Sequence, residues 1–215
     1  MGKDVIVACD FDSREKLTAF LDRFPEEKPF VKIGMEMFYA LGPDVVREVK
    51  ARGHRIFLDL KLHDIPNTVK KAMAVLSGLD VDMVNVHAAG TRAMMEAALE
   101  GLTRPDGSRP LLIDAPIAEV VMRYAANARD AGLDGVVCSP LEAGKVHETC
   151  GAGFLTVTPG IRFADSAKDD QARVTTPALA RQIGSDYIVV GRPITTAEDP
   201  AAAYRRCLKE FVDNA

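Results

Sequence analysis

Cysteine is scarce in this sequence, and none of its four cysteines belongs to a CxxC motif. Cys9, Cys138, Cys150 and Cys207 are widely separated along the chain. Such spacing favours free thiols in a reducing compartment over a disulfide framework or a cysteine-bound metal. The cysteines therefore argue against the small disulfide-rich secreted class and predict no metal site.

Long apolar runs are also absent. The N-terminal stretch "MGKDVIVACD" lacks the apolar core of a signal peptide. No segment approaches the roughly 18 apolar residues that a membrane-spanning helix needs. We therefore expect a cytoplasmic protein without a membrane partner.

Positive charge is not concentrated anywhere in the chain. The formal net charge is -4, and no run of lysine or arginine is present. A polyanion partner needs such a basic patch, so nucleic acid is not expected as a partner. The composition, 47% hydrophobic and 27% charged, is that of an ordinary globular protein. Its 215 residues suffice for one large domain with a sizeable core.

Short strand-like segments alternate with amphipathic helix-like segments along the whole chain, without a linker or a change of composition. The predicted strands are rich in Val and Ile and cover residues 4–10, 30–35, 55–62, 83–89, 135–140, 154–160 and 187–192. The last helix is predicted over residues 200–212, with a proline in its first turn. Regular alternation implies a parallel sheet with right-handed crossovers. Seven clear strands and one weak strand predict an α/β fold of the eight-fold βα (TIM) barrel type, as a single domain over residues 1–215.

The sequence is also compatible with two alternatives to a complete barrel. A doubly wound open sheet is the first, although "ACDFDSREK" after the first strand has no GxGxxG motif. The second concerns residues 105–135, where only "PLLID" can form the fifth strand. "LLIDAPIAEVVMRY" is equally compatible with one continuous helix. The fifth strand and its loop are therefore predicted to be shortened or missing.

The predicted third strand, "FLDLKLHDIPNTV", is unusually charged for a buried segment. Side chains alternate between the two faces of a strand, so Asp59 and Lys61 share one face. Leu58, Leu60 and Leu62 occupy the other face and are predicted to pack under the helices. The charged pair then points into the barrel near the carboxyl end of the strand, where barrel active sites form.

Each of these charged residues also has a purely structural interpretation. In this interpretation Asp59 and Lys61 would form a buried ion pair with a purely structural role. Such a pair is weak evidence for stability, because the cost of desolvating both charges offsets their attraction. Asp64 breaks the alternation and would be a helix N-cap, with Pro66 in the first turn. Two carboxylates near one ammonium at the end of a barrel strand nevertheless favour a catalytic site.

Other strand ends add polar groups to the same end of the barrel. Asp10, Lys32, Asn85 and His87 follow or interrupt apolar strands, although each alone has a structural interpretation. The last strand ends at Gly191 and Arg192, in the region where barrels often bind phosphate. Arg162 and Gln171 lie in the long polar loop "GIRFADSAKDDQARVTTP", which is long enough to bring both to the same anion and to close as a lid. An ordinary solvated loop is the alternative, and the local pattern favours it for Gln171 alone.

Several segments together resemble a known family. "FVKIGMEMFYALGP", "DLKLHDIPNTV", "VNVHAAG", "DGVVCS", "FLTVTPGIR" and "IVVGRPIT" are similar, over nearly the whole chain, to bacterial orotidine 5′-phosphate decarboxylases. The D-x-K-x-x-D core is shared with sugar-phosphate relatives, whereas "LHDIPNTV" and "VTPGIR" are specific. The resemblance implies a cofactor-free, metal-free homodimeric barrel that converts orotidine 5′-monophosphate to UMP and carbon dioxide.

The resemblance also implies a role for each matching residue. Lys61 would protonate C6 of the pyrimidine, with Asp59 beside it, and Asp64 would reach into the partner subunit's site. Ile65 and Thr68 would also be contributed across the dimer interface. The ribose hydroxyls would contact Asp10 and Lys32. The phosphate would be bound by Arg162, Gln171, Arg192 and the backbone at Gly191, and Pro159 would also contact the substrate.

One family segment has no counterpart here. A "VTxLTS"-like segment, which reads the pyrimidine after the fifth strand, is not found, and the resemblance predicts that about one strand and loop are absent between Pro110 and Leu111. Its loss would weaken base recognition and barrel closure. Two alternatives therefore stay open: a Mg²⁺-dependent sugar-phosphate lyase or decarboxylase of the same superfamily, and a weakened nucleotide-binding protein without turnover.

Overall fold

The computed structural model describes residues 3–114, 121–164 and 174–213. Eight parallel strands, numbered in chain order, close into one barrel in which β1 pairs with both β2 and β8. The strands β1 to β8 are Asp4–Ala8, Phe30–Gly34, Ile56–Leu62, Met83–Val86, Leu111–Asp114, Gly135–Val137, Leu155–Thr158 and Tyr187–Val190. The predicted TIM barrel is thus confirmed, and closure of the sheet excludes the doubly wound alternative.

Helices follow the strands and cover the outside of the barrel. The helices α1 to α10 are Arg14–Leu21, Met35–Leu41, Pro43–Ala51, Pro66–Ser77, Thr91–Leu102, Val121–Asp130, Ala143–Cys150, Pro177–Ile183, Arg192–Thr195 and Pro200–Leu208. Several begin at side-chain caps that the sequence supplies, such as Ser13 for α1 and Asp199 for α10. The predicted last helix over 200–212 is α10 followed by a π-helical turn, Lys209–Asp213.

The fifth strand is short but present. The four residues of β5 pair with β4, where Leu112 opposes Val84, and with β6, where Ile113 opposes Gly135. The alternative of one continuous helix through this segment is therefore wrong, and the barrel closes without additional residues. Residues 115–120, which precede α6, lie outside the described part of the chain.

Two apolar layers hold the barrel. The smaller layer fills the interior of the sheet and includes Ile6, Phe30, Phe57, Met83, Ile113, Val157, Tyr187 and Val189. The larger layer lies between sheet and helices, and Leu58, Leu60 and Leu62 belong to it or pack against it. The period of two along β3 therefore sends its leucines outward, as predicted, and leaves the inward positions to Phe57 and Asp59.

None of the helices among the described residues combines the length and the apolar character that crossing a membrane requires.

Candidate active site

The pairing of β3 with β4 becomes irregular near the carboxyl end of β3, where its charged residues lie. Leu58 opposes Val84 of β4 in the regular register, but Leu62 opposes Val86, so β3 contains a bulge between them. Within the bulge, Lys61 adopts a left-handed backbone with φ +52°. This conformation is unfavourable for a residue with a Cβ, and such residues cluster at functional sites.

Four charged side chains, from β2, β3 and the residues that follow β1, form one row. Lys61 Nζ lies 2.5 Å from Asp59 Oδ1, and Lys32 Nζ lies 3.5 Å from Asp59 Oδ2. Lys32 Nζ also donates a hydrogen bond to Asp10 Oδ1 at 2.9 Å. We call Asp10, Lys32, Asp59 and Lys61 the charged array. Its signs alternate, so each ammonium has a carboxylate beside it.

The carboxylate at the centre of the array is buried and ionised. Asp59 is only 8% exposed. Burial alone would raise its pKa, but the ammonium of Lys32 and hydrogen bonds from Lys61 and Asn85 outweigh it and lower the pKa below the usual value. Asp59 therefore keeps its negative charge at neutral pH.

A glycine next to the array leaves the room that it needs. A Cβ on Gly34, at the end of β2, would lie 3.2 Å from both Asp10 Oδ1 and Lys32 Nζ. Any side chain at position 34 would press on the ion pair between these two residues.

Asn85 is a neighbour of the array that sequence reasoning did not include among the site residues. It lies on β4, is 1% exposed, and contacts both catalytic candidates of β3. Its Oδ1 accepts a hydrogen bond from the backbone N–H of Lys61, and its Nδ2 donates to Asp59 Oδ1. The sequence indicates this role only through the position of Asn85, which is a polar residue facing the barrel interior in an otherwise apolar strand.

A cavity of about 310 Å³ opens beside the array. Six of the residues predicted to bind substrate line it: Asp10, Lys32, Pro159, Arg162, Gly191 and Arg192. Its lining combines two arginines, which suit a phosphate, with the Lys32–Asp10 pair, which suits polyol hydroxyls.

The structure describes the two ends of the predicted lid loop but not its middle. Arg162 N donates to Thr175 O, and Thr175 N donates to Gly160 O, so backbone bonds join the two ends of the loop. Gln171, predicted to contact the phosphate, lies outside the described residues, as does the rest of 165–173.

The remaining predicted site residues lie on an exposed rim. Asp64, Ile65 and Thr68 are exposed, with Ile65 at 67%, at the point where β3 leads into α4. The N-cap interpretation of Asp64 is wrong, because Ile65 occupies the cap position without a side-chain bond. Among the described residues, Asp64 accepts a hydrogen bond only from the Ile65 N–H. Within the described chain, no hydrogen bond or ion pair joins Asp64 to Lys61. The described contacts therefore do not connect Asp64 to the array of its own barrel.

Comparison with known proteins agrees in sequence and in structure. The model of the orotidine 5′-phosphate decarboxylase / HUMPS family matches residues 3–207. The orotidine 5′-phosphate decarboxylases of Bacillus caldolyticus and Streptococcus thermophilus are 53% and 55% identical to this chain, over 98% and 97% of it and 96% and 97% of their own length. A crystal structure of orotidine 5′-phosphate decarboxylase from Lactobacillus acidophilus matches with a TM-score of 0.85 at 42% identity, covering 97% of this chain and 99% of that one.

The lengths of these alignments bear on the shortened fifth strand. The alignment with the Bacillus caldolyticus protein runs over 233 residues, whereas this chain has only 215. That relative therefore has residues with no counterpart here, as expected if a segment is absent.

Proposed function

The chain belongs to the orotidine 5′-phosphate decarboxylase / HUMPS family, and on this premise we propose how its residues carry out the reaction. The activity is the decarboxylation of orotidine 5′-monophosphate to UMP and carbon dioxide in pyrimidine biosynthesis. The observation that supports our assignment of roles is the charged array at the carboxyl ends of β1 to β3, next to a cavity with two arginines.

Lys61 stabilises and then protonates the reacting carbon. When the bond between C6 and the carboxylate breaks, the electron pair stays on C6 in the plane of the ring, where the π-system cannot accept it. An ammonium about 4 Å away is worth roughly 4 kcal/mol at an effective dielectric constant of 20. Lys61 Nζ then transfers a proton to C6, carbon dioxide leaves, and the amine regains a proton from solvent. The charge is fixed in place before the reaction, which is the basis of electrostatic catalysis.

Asp59 has two effects in this scheme. It holds the Lys61 ammonium through the 2.5 Å contact and so aims it. It also lies beside the position of the substrate carboxylate, where like charges repel until carbon dioxide leaves. Because the pKa of Asp59 is lowered, the carboxylate supplies both effects at neutral pH.

The cavity binds the ribose and the phosphate of the substrate. Asp10 and Lys32 bind ribose hydroxyls, and Arg162 and Arg192, with Pro159, Gly191 and the undescribed Gln171, surround the phosphate. Binding energy from this remote group aligns the pyrimidine against Lys61. The missing "VTxLTS"-like segment leaves the contacts to the pyrimidine ring unassigned in this chain.

Asp64, Ile65 and Thr68 act on a second copy of the chain. Their exposure, and the separation of Asp64 from its own Lys61, support a homodimer in which each subunit completes its partner's site. A two-fold axis allows this exchange in both directions, so both sites are complete.

Two wider proposals accompany this function. The four cysteines are free, as expected in a reducing compartment, which supports a cytoplasmic enzyme. The barrel formed by the described residues supports a single domain over 1–215.

The function is tested by incubating the protein with orotidine 5′-monophosphate and following the ultraviolet change, with and without EDTA. We expect the same turnover in both conditions, because a protein ammonium supplies the positive charge at C6. Turnover of a pentulose or hexulose phosphate that requires Mg²⁺, with none of the nucleotide, would instead favour the sugar-phosphate branch. Binding of UMP without any turnover would identify a weakened nucleotide-binding protein, and intact mass would show whether the chain has its 23.3 kDa.

Replacing Arg192 with alanine tests the phosphate end. We expect UMP to bind about 10- to 100-fold more weakly, since a charge-assisted hydrogen bond contributes about 1.5–3 kcal/mol. Binding of uridine, which has no phosphate, should not change. Isothermal calorimetry with both ligands measures this difference.

A matched control for Arg192 is Arg47, an exposed arginine on α3 that pairs with Asp44. Arg47→Ala removes the same charge and should leave UMP affinity as it is. Equal affinity of the unmodified protein for uridine and UMP would contradict the phosphate role.

A further inference from the structure

The conformation of Lys61 requires a compensating interaction. In a regular strand its backbone N–H would bond to the backbone of a neighbouring strand. The bulge between Leu58 and Leu62 interrupts that ladder, and the left-handed backbone of Lys61 is itself unfavourable. A buried N–H that found no acceptor would destabilise the bulge further.

Asn85 supplies the missing acceptor. Its Oδ1 lies 2.8 Å from Lys61 N, and its Nδ2 lies 2.6 Å from Asp59 Oδ1. The same Asp59 oxygen also accepts from Lys61 Nζ. The three residues therefore form a closed ring of hydrogen bonds that fixes both the backbone and the ammonium of Lys61.

The hydrogen-bond partners of Asn85 determine the orientation of its carboxamide. A backbone N–H can only donate, and an ionised carboxylate can only accept, so the oxygen must face Lys61 and the nitrogen must face Asp59. Leucine has a similar size but neither group. Aspartate keeps the acceptor for Lys61 N, but it presents a second acceptor to Asp59 unless it is protonated.

We infer that Asn85 is a positioning residue of the decarboxylation, which holds the bulge of β3 so that Lys61 and Asp59 meet at the reacting carbon. This inference rests on the proposed roles of those two residues. Asn85 itself touches no substrate atom in this scheme and acts through its two neighbours.

The charged groups around this ring would determine the pKa of a carboxylate introduced at position 85. From β3 they are Asp59 and Lys61, and from β2 Lys32, which contacts Asp59 at 3.5 Å and also Asp10. From β5, the residue opposite Asn85 is the apolar Ile113. A carboxylate at position 85 would thus face Asp59 directly, and such a pair holds a proton at higher pH than either acid alone.

Two variants test the inference. Asn85→Leu removes both hydrogen bonds, and we expect kcat to fall about 100-fold while UMP affinity stays within about threefold, because only the alignment of Lys61 is lost. Asn85→Asp keeps the size, and we expect a comparable loss at about pH 8. As the pH falls towards about 5.5, a proton on the introduced acid restores a donor towards Asp59, so the ratio of variant to unmodified kcat should rise at least about tenfold.

The control is Thr156→Val on β7. Thr156 is fully buried and hydrogen-bonded to Asp186 at the opposite end of the barrel, so this variant loses stability but keeps kcat and its pH dependence.

A pH-independent ratio for Asn85→Asp, or unchanged kcat in either Asn85 variant, would overturn the inference. Should Asn85→Leu not fold, the isosteric Asn85→Asp decides alone. Failure of the unmodified chain to turn over substrate would instead refute the proposed function, so the two failures are distinguishable.

Discussion

Replacing Lys61 with alanine is expected to reduce kcat for orotidine 5′-monophosphate by at least about 10⁴-fold. The lost ammonium stabilised the C6 carbanion by roughly 4 kcal/mol, which corresponds to about a thousandfold in rate. Loss of the proton donor adds about 10²- to 10⁴-fold if protonation contributes to the barrier. UMP should still bind, since the cavity that holds its ribose and phosphate does not include Lys61. Steady-state kinetics with calorimetry of UMP binding measures both quantities.

Lys145 provides the control for this substitution. It is an exposed lysine on α7, a helix on the outside of the barrel, so Lys145→Ala removes the same charge without touching the array. We expect unmodified kcat in that variant. Turnover that persists in Lys61→Ala at the rate of the unmodified chain would contradict the assignment of Lys61 and, with it, the mechanism.

The sequence predicts the barrel because each strand and helix is a local pattern. Alternation of short Val- and Ile-rich segments with amphipathic helices suffices for the architecture, and the period of two along β3 separates the leucines from Asp59. The four residues of β5 are a different case. A short apolar run is compatible with strand or helix, and only its pairing with β4 and β6 decides between them.

The detailed geometry of the site could not be predicted because it depends on contacts between strands. Simple alternation places Asp59 and Lys61 on one face, but it does not predict the bulge that joins their side chains. That bulge depends on Asn85, which lies 24 residues further along the chain than Lys61. The local pattern also favours Asp64 as a helix cap, since an acid two residues before a proline often takes that role. In the structure, the cap position falls on Ile65 and leaves Asp64 exposed.

Mixing two inactive variants is expected to restore activity if the sites are shared between subunits. Asp64→Ala should lose most of its activity, because each site would lack the acid that a partner contributes beside Lys61. Combined with Lys61→Ala, it forms mixed dimers in which one site has both native residues. With random exchange of equal amounts, about one quarter of all sites are intact, so about one quarter of the unmodified specific activity should return.

The matched control mixes Lys61→Ala with Asp59→Asn. Both residues belong to the array of one barrel, where Lys61 Nζ and Asp59 Oδ1 are in contact, so no mixed dimer of these variants contains an intact site. We therefore expect no recovery in this mixture, even though the chains exchange equally well, which differently tagged copies would verify. Recovery with Asp64→Ala but not with Asp59→Asn requires that Asp64 acts on the opposite subunit. An absence of recovery in both mixtures, despite verified exchange, would mean that each barrel works with its own residues, and the exposure of Asp64 would then need another cause.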